Sequence, residues 1–245
     1  SVFVDGTLEL PGSSIEADAT VTIDCDHLVI NTGQGENKDD LSNRRRRDIV
    51  HIANGNIVIG TADDPIPCGT KVIVKINGDE YSPSFGAMPG SVPIGAKALG
   101  GIGGIEMHGC EITNTWTTLT NTVNAGDSQI TVDTDVSAEW KVGDELAIAT
   151  SDYEQRHTEY VSIIAISGMD ITLNTTLAWT HLGSADSTIT ALGRTVSQAA
   201  EVALLTRNIV IDGSGGADGK MGGRILVTNY METNGVHTYY RNGYG

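Results

Sequence analysis

The chain has 245 residues with 39% hydrophobic and only 5% aromatic side chains, so it can bury a core, and that core must be aliphatic. Its formal net charge of -16 disfavours nucleic acid and anionic membrane surfaces as partners. The sequence has no run of about 18 apolar residues, which excludes a transmembrane helix from this segment.

Hydrophobic residues alternate with polar ones along much of the chain. Residues 21–25, 71–76 and 130–133 show this period of two, which is typical of half-buried strands. Other short runs are apolar at successive positions and predict strands covered on both faces, namely residues 57–59, 161–166 and 209–211. Asn-Gly, Ser-Gly and Asp-Gly dipeptides punctuate the runs and indicate tight turns. We therefore predict an all-β fold, and these signals leave open a sandwich, a barrel or a β-helix.

Three segments interrupt this rhythm. Residues 33–48 are polar, residues 79–98 are rich in Ser, Pro and Gly, and residues 214–222 are rich in Gly. They predict long loop excursions, which in a compact domain are functional or disordered. Residues 196–205 also allow a weak helical alternative to the strand interpretation.

Three cysteines, Cys25, Cys68 and Cys110, decide little about the redox compartment. No Cys-x-x-Cys pair is present, which disfavours a zinc site or a thioredoxin-like motif. One disulfide with one remaining thiol and three buried thiols are both compatible with the sequence.

A series of short motifs runs through the chain in a recognisable order. They include Gly-Thr-Ala-Asp-Asp-Pro, Trp-Thr, Trp-Lys-Val-Gly-Asp and His-Leu-Gly, and they lie at residues 57–67, 71–78, 97–100, 103–109, 116–117, 140–153, 159, 181–183 and 201–211. In this order they resemble the eight-glycine (G-eight, or G8) domain family with its adjoining parallel β-helix. Fibrocystin, the cell-migration-inducing hyaluronan-degrading protein and the transmembrane hyaluronidase share that arrangement. The resemblance covers nearly the whole chain.

The resemblance implies a right-handed parallel β-helix, or solenoid, with long loop excursions. It implies an eight-glycine-type β domain over residues 1–192 and the start of a continuing β-helix over residues 193–245, or one continuous solenoid. The hyaluronan-degrading relatives carry an inserted domain where this chain has only residues 116–140. The chain is thus closest to the fibrocystin-like arrangement, and no catalytic residue of the family can be transferred to it.

The resulting functional prediction is a non-catalytic extracellular or cell-surface module, structural or adhesive, that presents loops to a glycan or protein partner or stacks with copies of itself. A polysaccharide depolymerase or lyase, acting on a hyaluronan-like chain, is the alternative, because β-helices often carry such sites. Turnover of a polysaccharide would favour the alternative, and binding without turnover would favour the module.

Four consecutive arginines, Arg44, Arg45, Arg46 and Arg47, stand out in a chain with only 15 basic residues. Three interpretations remain open. The first is a solvated loop that pairs with nearby aspartates, and the second is a contact for acidic glycans, because guanidinium groups bind carboxylates bidentately. The third is a processing site, because exposed loops are where proteases cut.

Closely spaced carboxylates are candidates for a surface calcium site or, as pairs, for glycoside hydrolysis. The calcium candidates are Asp24, Asp26, Asp133 and Asp135, and Asp63 with Asp64 forms a further pair. A chance grouping is the simpler interpretation among 31 acidic residues. We predict no cofactor other than calcium. Asn174 begins the single Asn-x-Thr glycosylation sequon of the chain.

Overall fold

The computed structural model describes residues 2–4, 7–25, 27–30, 56–79, 82, 85–87, 93–101, 103–214, 222–227, 229–233 and 238–242. The chain divides into two compact units. Unit 1 comprises Ser1–Glu111 and Arg207–Gly245, and unit 2 comprises Ile112–Thr206. The compact units have bounds at 111/112 and 206/207. The domain boundary predicted at residues 192/193 stays a prediction.

Strands dominate both units, which confirms the all-β prediction. In chain order the strands are β1 Val2–Val4, β2 Thr7–Leu10, β3 Thr20–Cys25, β4 His27–Ile30, β5 Asn56–Ile59, β6 Lys71–Ile76, β7 Phe85–Ala87, β8 Pro93–Gly95, β9 Ala98–Gly101, β10 Gly104–Met107, β11 Trp116–Thr118, β12 Gln129–Thr131, β13 Glu145–Ile148, β14 Glu159–Ser167, β15 Asp170–Leu173, β16 Thr188–Ala191, β17 Arg194–Ser197, β18 Glu201–Leu204, β19 Ile209–Asp212, β20 Arg224–Val227, β21 Asn229–Thr233 and β22 Thr238–Asn242. Within the residues that the structure describes, the helical segments are short, namely the 3₁₀ helices Gly12–Ser14 and Gln155–His157 and the α-helix α1 Ser184–Ser187.

Unit 1 contains three parallel sheets, with the strand orders β1-β4-β9-β20, β2-β5-β10 and β3-β6-β19. Every strand pair in these sheets is parallel. The chain visits the sheets in turn, since β1, β2 and β3 belong to the first, second and third sheet and β4, β5 and β6 repeat that order. Two antiparallel hairpins, β7–β8 and β21–β22, belong to the same unit.

Aliphatic side chains from the three parallel sheets form one core. Its buried members are Cys25, Leu28, Ile57, Ile59, Ile66, Val72, Val74, Ile76 and Leu99. The alternation seen in the sequence explains this core, because β6 buries Val72, Val74 and Ile76 and leaves Lys71 exposed. Gly60 ends β5 with φ +66, and a Cβ there would lie 2.4 Å from the carbonyl oxygen of His108, so the corner accepts only glycine.

Unit 2 contains a six-stranded antiparallel sheet in the order β11-β18-β13-β14-β15-β12. An antiparallel bridge between Leu119 and Val132 joins the segments that follow the two edge strands, so the sheet curls toward a barrel. Its core is aliphatic around one tryptophan, Trp140, which donates from Nε1 to the carbonyl oxygen of Asn114 at 2.7 Å. The hairpin β16–β17 follows α1 and is exposed along its length.

Three expectations require correction. A parallel β-helix does not extend through unit 2, because the strand pairs of that unit are antiparallel. Residues 196–205 contain the end of β17 and strand β18, not a helix. The run 161–166 is not covered on both faces, because Ile164 is 54% exposed and Ala165 is also exposed, and a bulge between Ile163 and Ala165 interrupts the alternation there.

Candidate functional site

Two loops of unit 2 meet around a buried histidine, His181. Its Nδ1 lies 2.9 Å from the carbonyl oxygen of Ala149, and its Nε2 lies 3.0 Å from Oε1 of Glu159. His181 thus joins the backbone at Ala149 to the carboxylate of Glu159.

Glu159 also binds the backbone of the second loop. Its carboxylate accepts hydrogen bonds from the amides of Ala178 at 2.8 Å and Trp179 at 3.0 Å. Burial acts to raise the pKa of Glu159, but the hydrogen bonds from Ala178, His181 and Trp179 outweigh it and hold the pKa below the ordinary 4.5. One carboxylate thereby anchors three residues of a four-residue segment.

A second carboxylate organises the first loop. Asp152 accepts hydrogen bonds from Nδ1 of His157 at 2.7 Å, the hydroxyl of Thr150 at 2.8 Å and the amide of Glu154 at 2.8 Å. These contacts, with that from His157 the largest, lower the pKa of Asp152 to about 2. The imidazole of His157 stacks on Trp179, with ring centroids 3.7 Å apart and an interplanar angle of 18°.

The two loops together form what we call the loop cluster, residues 150–158 and 178–181. Tyr153 is fully exposed at its surface, and Trp179 is 45% exposed despite its stacking. The carboxylates hold the loop backbones while the aromatic side chains face solvent. Such an arrangement presents rigid apolar groups for contact with another molecule, a role that exposed aromatic residues often have.

The predicted calcium ligands occupy separate places. Asp24 lies in β3, where its Oδ2 is 4.0 Å from Nζ of Lys75 and its carboxylate accepts a hydrogen bond from Asn77. Asp26 lies outside the described residues. Across the described parts of the chain, no group of three or more His, Cys, Asp or Glu side chains has a metal-binding arrangement. The calcium assignment stays a prediction.

Asp133 and Asp135 have hydrogen-bonding roles within unit 2. Asp133 accepts from the hydroxyls of Thr117 and Thr118, the latter at 2.9 Å, and these bonds outweigh burial and lower its pKa. Asp135 accepts from the hydroxyl of Ser137 at 2.7 Å and from the Ser137 amide at 3.0 Å, which also lowers its pKa. Both carboxylates therefore stabilise turns next to β11 and β12.

The other predicted residues fall in three different settings. Asp64, of the pair with Asp63, accepts hydrogen bonds from the amide and hydroxyl of Ser13. Asn174 is exposed after β15, and its Oδ1 accepts from the Ser162 amide at 2.8 Å. The structure does not describe Arg44, Arg45, Arg46 or Arg47, so their three interpretations stay open.

The cysteine alternatives are decided by a disulfide between Cys68 and Cys110, which are 42 residues apart. Cys25 is buried in the core of unit 1. Disulfides persist in oxidising compartments and are rare in the cytosol.

Sequence reasoning missed the loop cluster although the motif series includes residues 150–153, His181 and its partner Glu159 in β14. Glu159 and His181 are 22 residues apart, and their contact depends on folding. The pair of Asp152 and His157 is a shorter-range signal, because the two residues are five positions apart.

Comparison with known proteins identifies one region of the chain. Residues 4–120 match the G8 domain. The G8 match begins in unit 1 and reaches the first strand of unit 2, and it supports the family resemblance seen in the motifs. The adjoining parallel β-helix of that resemblance is not established by the match.

Relatives of the chain include Fibrocystin-L of Mus musculus, 37% identical over 171 residues, which is 66% of this chain and 4% of the relative. A G8 domain-containing protein of Dictyostelium discoideum is 36% identical over 145 residues, 58% of this chain and 12% of the relative. The chain thus spans only a small fraction of the length of these relatives.

Among solved structures, the tailspike of Acinetobacter baumannii bacteriophage AP22, in complex with capsular saccharide, aligns with 84% of this chain and 23% of the tailspike chain. The sequence identity is 12% and the TM-score is 0.29, so no conclusion is drawn from this likeness. Within the described residues, no helix combines the length and the apolar character that a membrane crossing needs.

Proposed function

We propose that this chain is an extracellular, non-catalytic interaction module that uses the loop cluster of unit 2 to bind a glycan or a protein partner. The observation that carries the proposal is the exposure of Tyr153 and Trp179 on loops whose backbones are held by Asp152 and Glu159. Rigid aromatic side chains lose little conformational entropy on binding, which makes them effective contact residues.

An extracellular or cell-surface location is supported by two independent observations. The G8 match and the fibrocystin relatives link the chain to proteins of that setting. The disulfide between Cys68 and Cys110 fits an oxidising compartment. Self-assembly within a larger surface structure remains a second mode of interaction for the same module.

The finer fold proposed for unit 1 is a right-handed parallel β-helix. Its support is the order in which the chain visits three parallel sheets, β1-β2-β3 and then β4-β5-β6. Connections between parallel strands are almost always right-handed, which favours that handedness here. The open edges of such a coil would suit stacking on further strands.

Four carboxylates of unit 2 are poorly suited to serve as the general acid of glycoside hydrolysis. A general acid for glycoside cleavage needs a raised pKa, so that it holds a proton near neutral pH. Asp133, Asp152, Glu159 and Asp186 instead have lowered pKa values because each accepts hydrogen bonds from neighbouring groups. These carboxylates are suited to holding loops and turns in place.

Binding to arrays of defined glycans and purified ectodomains, measured for the secreted chain, tests this proposal. We expect binding to at least one member and a loss of about tenfold in affinity for the double variant Tyr153→Ala/Trp179→Ala. The matched control is Leu192→Ala, which removes a fully exposed side chain from the β16–β17 turn. Binding that the double variant leaves unchanged would contradict the role of the loop cluster.

Three site predictions remain open beside the proposed function. For Arg44, Arg45, Arg46 and Arg47, a fourfold substitution by Ser followed by heparin retention and chain-length analysis separates the glycan and processing interpretations. Glycosylation at Asn174 predicts a mass decrease on enzymatic deglycosylation of the secreted chain. Calcium binding predicts heat in a calorimetric titration that Asp133→Asn weakens.

A further inference from the structure

Strands β11, β18, β13 and β14 carry a row of four residues that face the same side of the unit 2 sheet. The register pairs Trp116 with Ala203, Ala203 with Ala147, and Ala147 with Tyr160. Directly opposed residues on paired strands point to the same face, so all four side chains lie together. We call these four residues the aromatic row.

The two aromatic members of the row are exposed at its ends. Trp116 is 57% exposed and Tyr160 is 73% exposed, whereas Trp140, which serves the core, is 1% exposed. Three strand spacings separate the rings, about 14 Å. The two alanines between the rings have small side chains, so a ligand can contact both rings and the alanines between them.

The neighbouring rows on this face each carry a glutamate. On one side Glu145 is opposite Ser162, and its backbone oxygen accepts a hydrogen bond from the amide of Leu205, whose side chain is 42% exposed. On the other side Thr118 is opposite Glu201. The row therefore has a carboxylate on each side. Stable protein–protein interfaces bury about 1,200–2,000 Å² in total, a broader area than this row offers.

We propose that the aromatic row binds a neutral glycan chain that lies across the strands, with one pyranose ring on Trp116 and another on Tyr160. The apolar C–H face of a pyranose ring stacks on an aromatic ring, and its hydroxyls donate to flanking carboxylates such as Glu145 and Glu201. These carboxylates, in a chain of net charge -16, repel uronic-acid and sulfated glycans. This inference rests on the proposed interaction function and adds a ligand class and a second surface to it.

The test is a calorimetric titration of the full chain with cellohexaose, mannohexaose and chitohexaose, and with hyaluronan hexasaccharide as the acidic comparator. We expect at least one neutral hexasaccharide to bind and the hyaluronan fragment not to bind. Trp116→Ala and Tyr160→Ala should each weaken binding about tenfold. Trp116→Phe keeps a stacking surface and should retain most of the affinity, which controls for misfolding.

Leu192→Ala is the control, because it removes a fully exposed apolar side chain outside both the loop cluster and the row, and Tyr153→Ala tells the two surfaces apart. Glycan binding that is lost in Tyr153→Ala but kept in both row variants would overturn the aromatic row and leave the proposed function intact. Failure of all three neutral hexasaccharides to bind would also overturn it. An ectodomain whose binding depends on Trp116 would identify a protein-binding face and overturn the glycan assignment.

Discussion

Two carboxylates in unit 2 show how single residues fix loop geometry. Glu159 accepts from the ring of His181 and from two backbone amides, and Asp152 accepts from His157, Thr150 and the amide of Glu154. A buried donor that loses its acceptor costs more free energy than the hydrogen bond itself contributes. The loop cluster is therefore sensitive to these two positions.

Replacing Glu159 by Ala should lower the free energy of unfolding by about 3 kcal/mol, because it leaves the His181 ring and two amides without their acceptor. The exposed Glu154→Ala removes only one acceptor, that of the Arg156 amide, and should cost about 1 kcal/mol. Urea denaturation measures both. The pKa of Glu159 is lowered in the folded state, so its contribution to stability is present above the ordinary 4.5 and is lost as pH falls. Equal losses in the two variants would contradict the anchoring role.

Removal of the His157 ring should change the titration of its partner. The pKa of Asp152 is about 2, with the His157 hydrogen bond as the largest cause. In His157→Ala we expect this pKa to rise toward the ordinary 3.8 while staying below it, since Thr150 and the Glu154 amide remain. NMR of the carboxyl carbon against pH measures the shift. Any stability from Asp152 is present above 3.8 and is lost as pH falls through about 2.

At the scale of elements, the corner after β5 depends on one glycine. Gly60 and Gly143 both have positive φ, +66 and +96. A Cβ added at Gly60 would lie 2.4 Å from the carbonyl oxygen of His108, whereas a Cβ added at Gly143 would meet no atom within 4 Å. Gly143→Ala should therefore cost only the left-handed backbone energy of about 1–2 kcal/mol. Gly60→Ala should cost clearly more, because the backbone must shift. Differential scanning calorimetry compares the two, and equal decreases in Tm would count against this corner.

The disulfide is a second element-scale feature with a direct test. Cys68→Ala/Cys110→Ala should lower the free energy of unfolding by about 2–4 kcal/mol, because the bridge closes a loop of 42 residues. Thiol titration of the secreted chain in denaturant should find one reactive thiol, that of Cys25, and three after reduction. Three thiols without reduction would contradict both the bridge and an oxidising compartment.

The sequence was informative about elements and less so about their partners. Alternation at residues 71–76 correctly predicted that β6 buries one face, because period two is a local property of any strand. Parallel and antiparallel strands share that period, so the antiparallel sheet of unit 2 was not apparent from side-chain pattern. The bulge that leaves both Ile164 and Ala165 exposed was hidden in an apolar run, because the side-chain pattern does not show a change of register. The loop cluster and the aromatic row arise from pairings across many residues, which no local motif encodes.

At the scale of the whole molecule, the charge and the exposed aromatic groups point to a selective surface. A net charge of -16 keeps acidic polymers away except where a local basic group lies, such as the four arginines at residues 44–47. The aromatic groups of unit 2 then select ligands that are neutral and have apolar faces. The chain spans only a small fraction of the length of its fibrocystin relatives.

The central claim is that the chain binds a glycan without cleaving it. The most direct test is to incubate the chain with fluorescent hyaluronan, pectin, alginate and the neutral hexasaccharides. Binding of each ligand and its length are measured in the same samples. We expect a neutral ligand to bind and every polymer to keep its length after prolonged incubation. Polymer shortening that disappears when a single carboxylate, such as Asp64 or Asp133, is replaced by Asn would show a hydrolase or lyase and contradict the non-catalytic module.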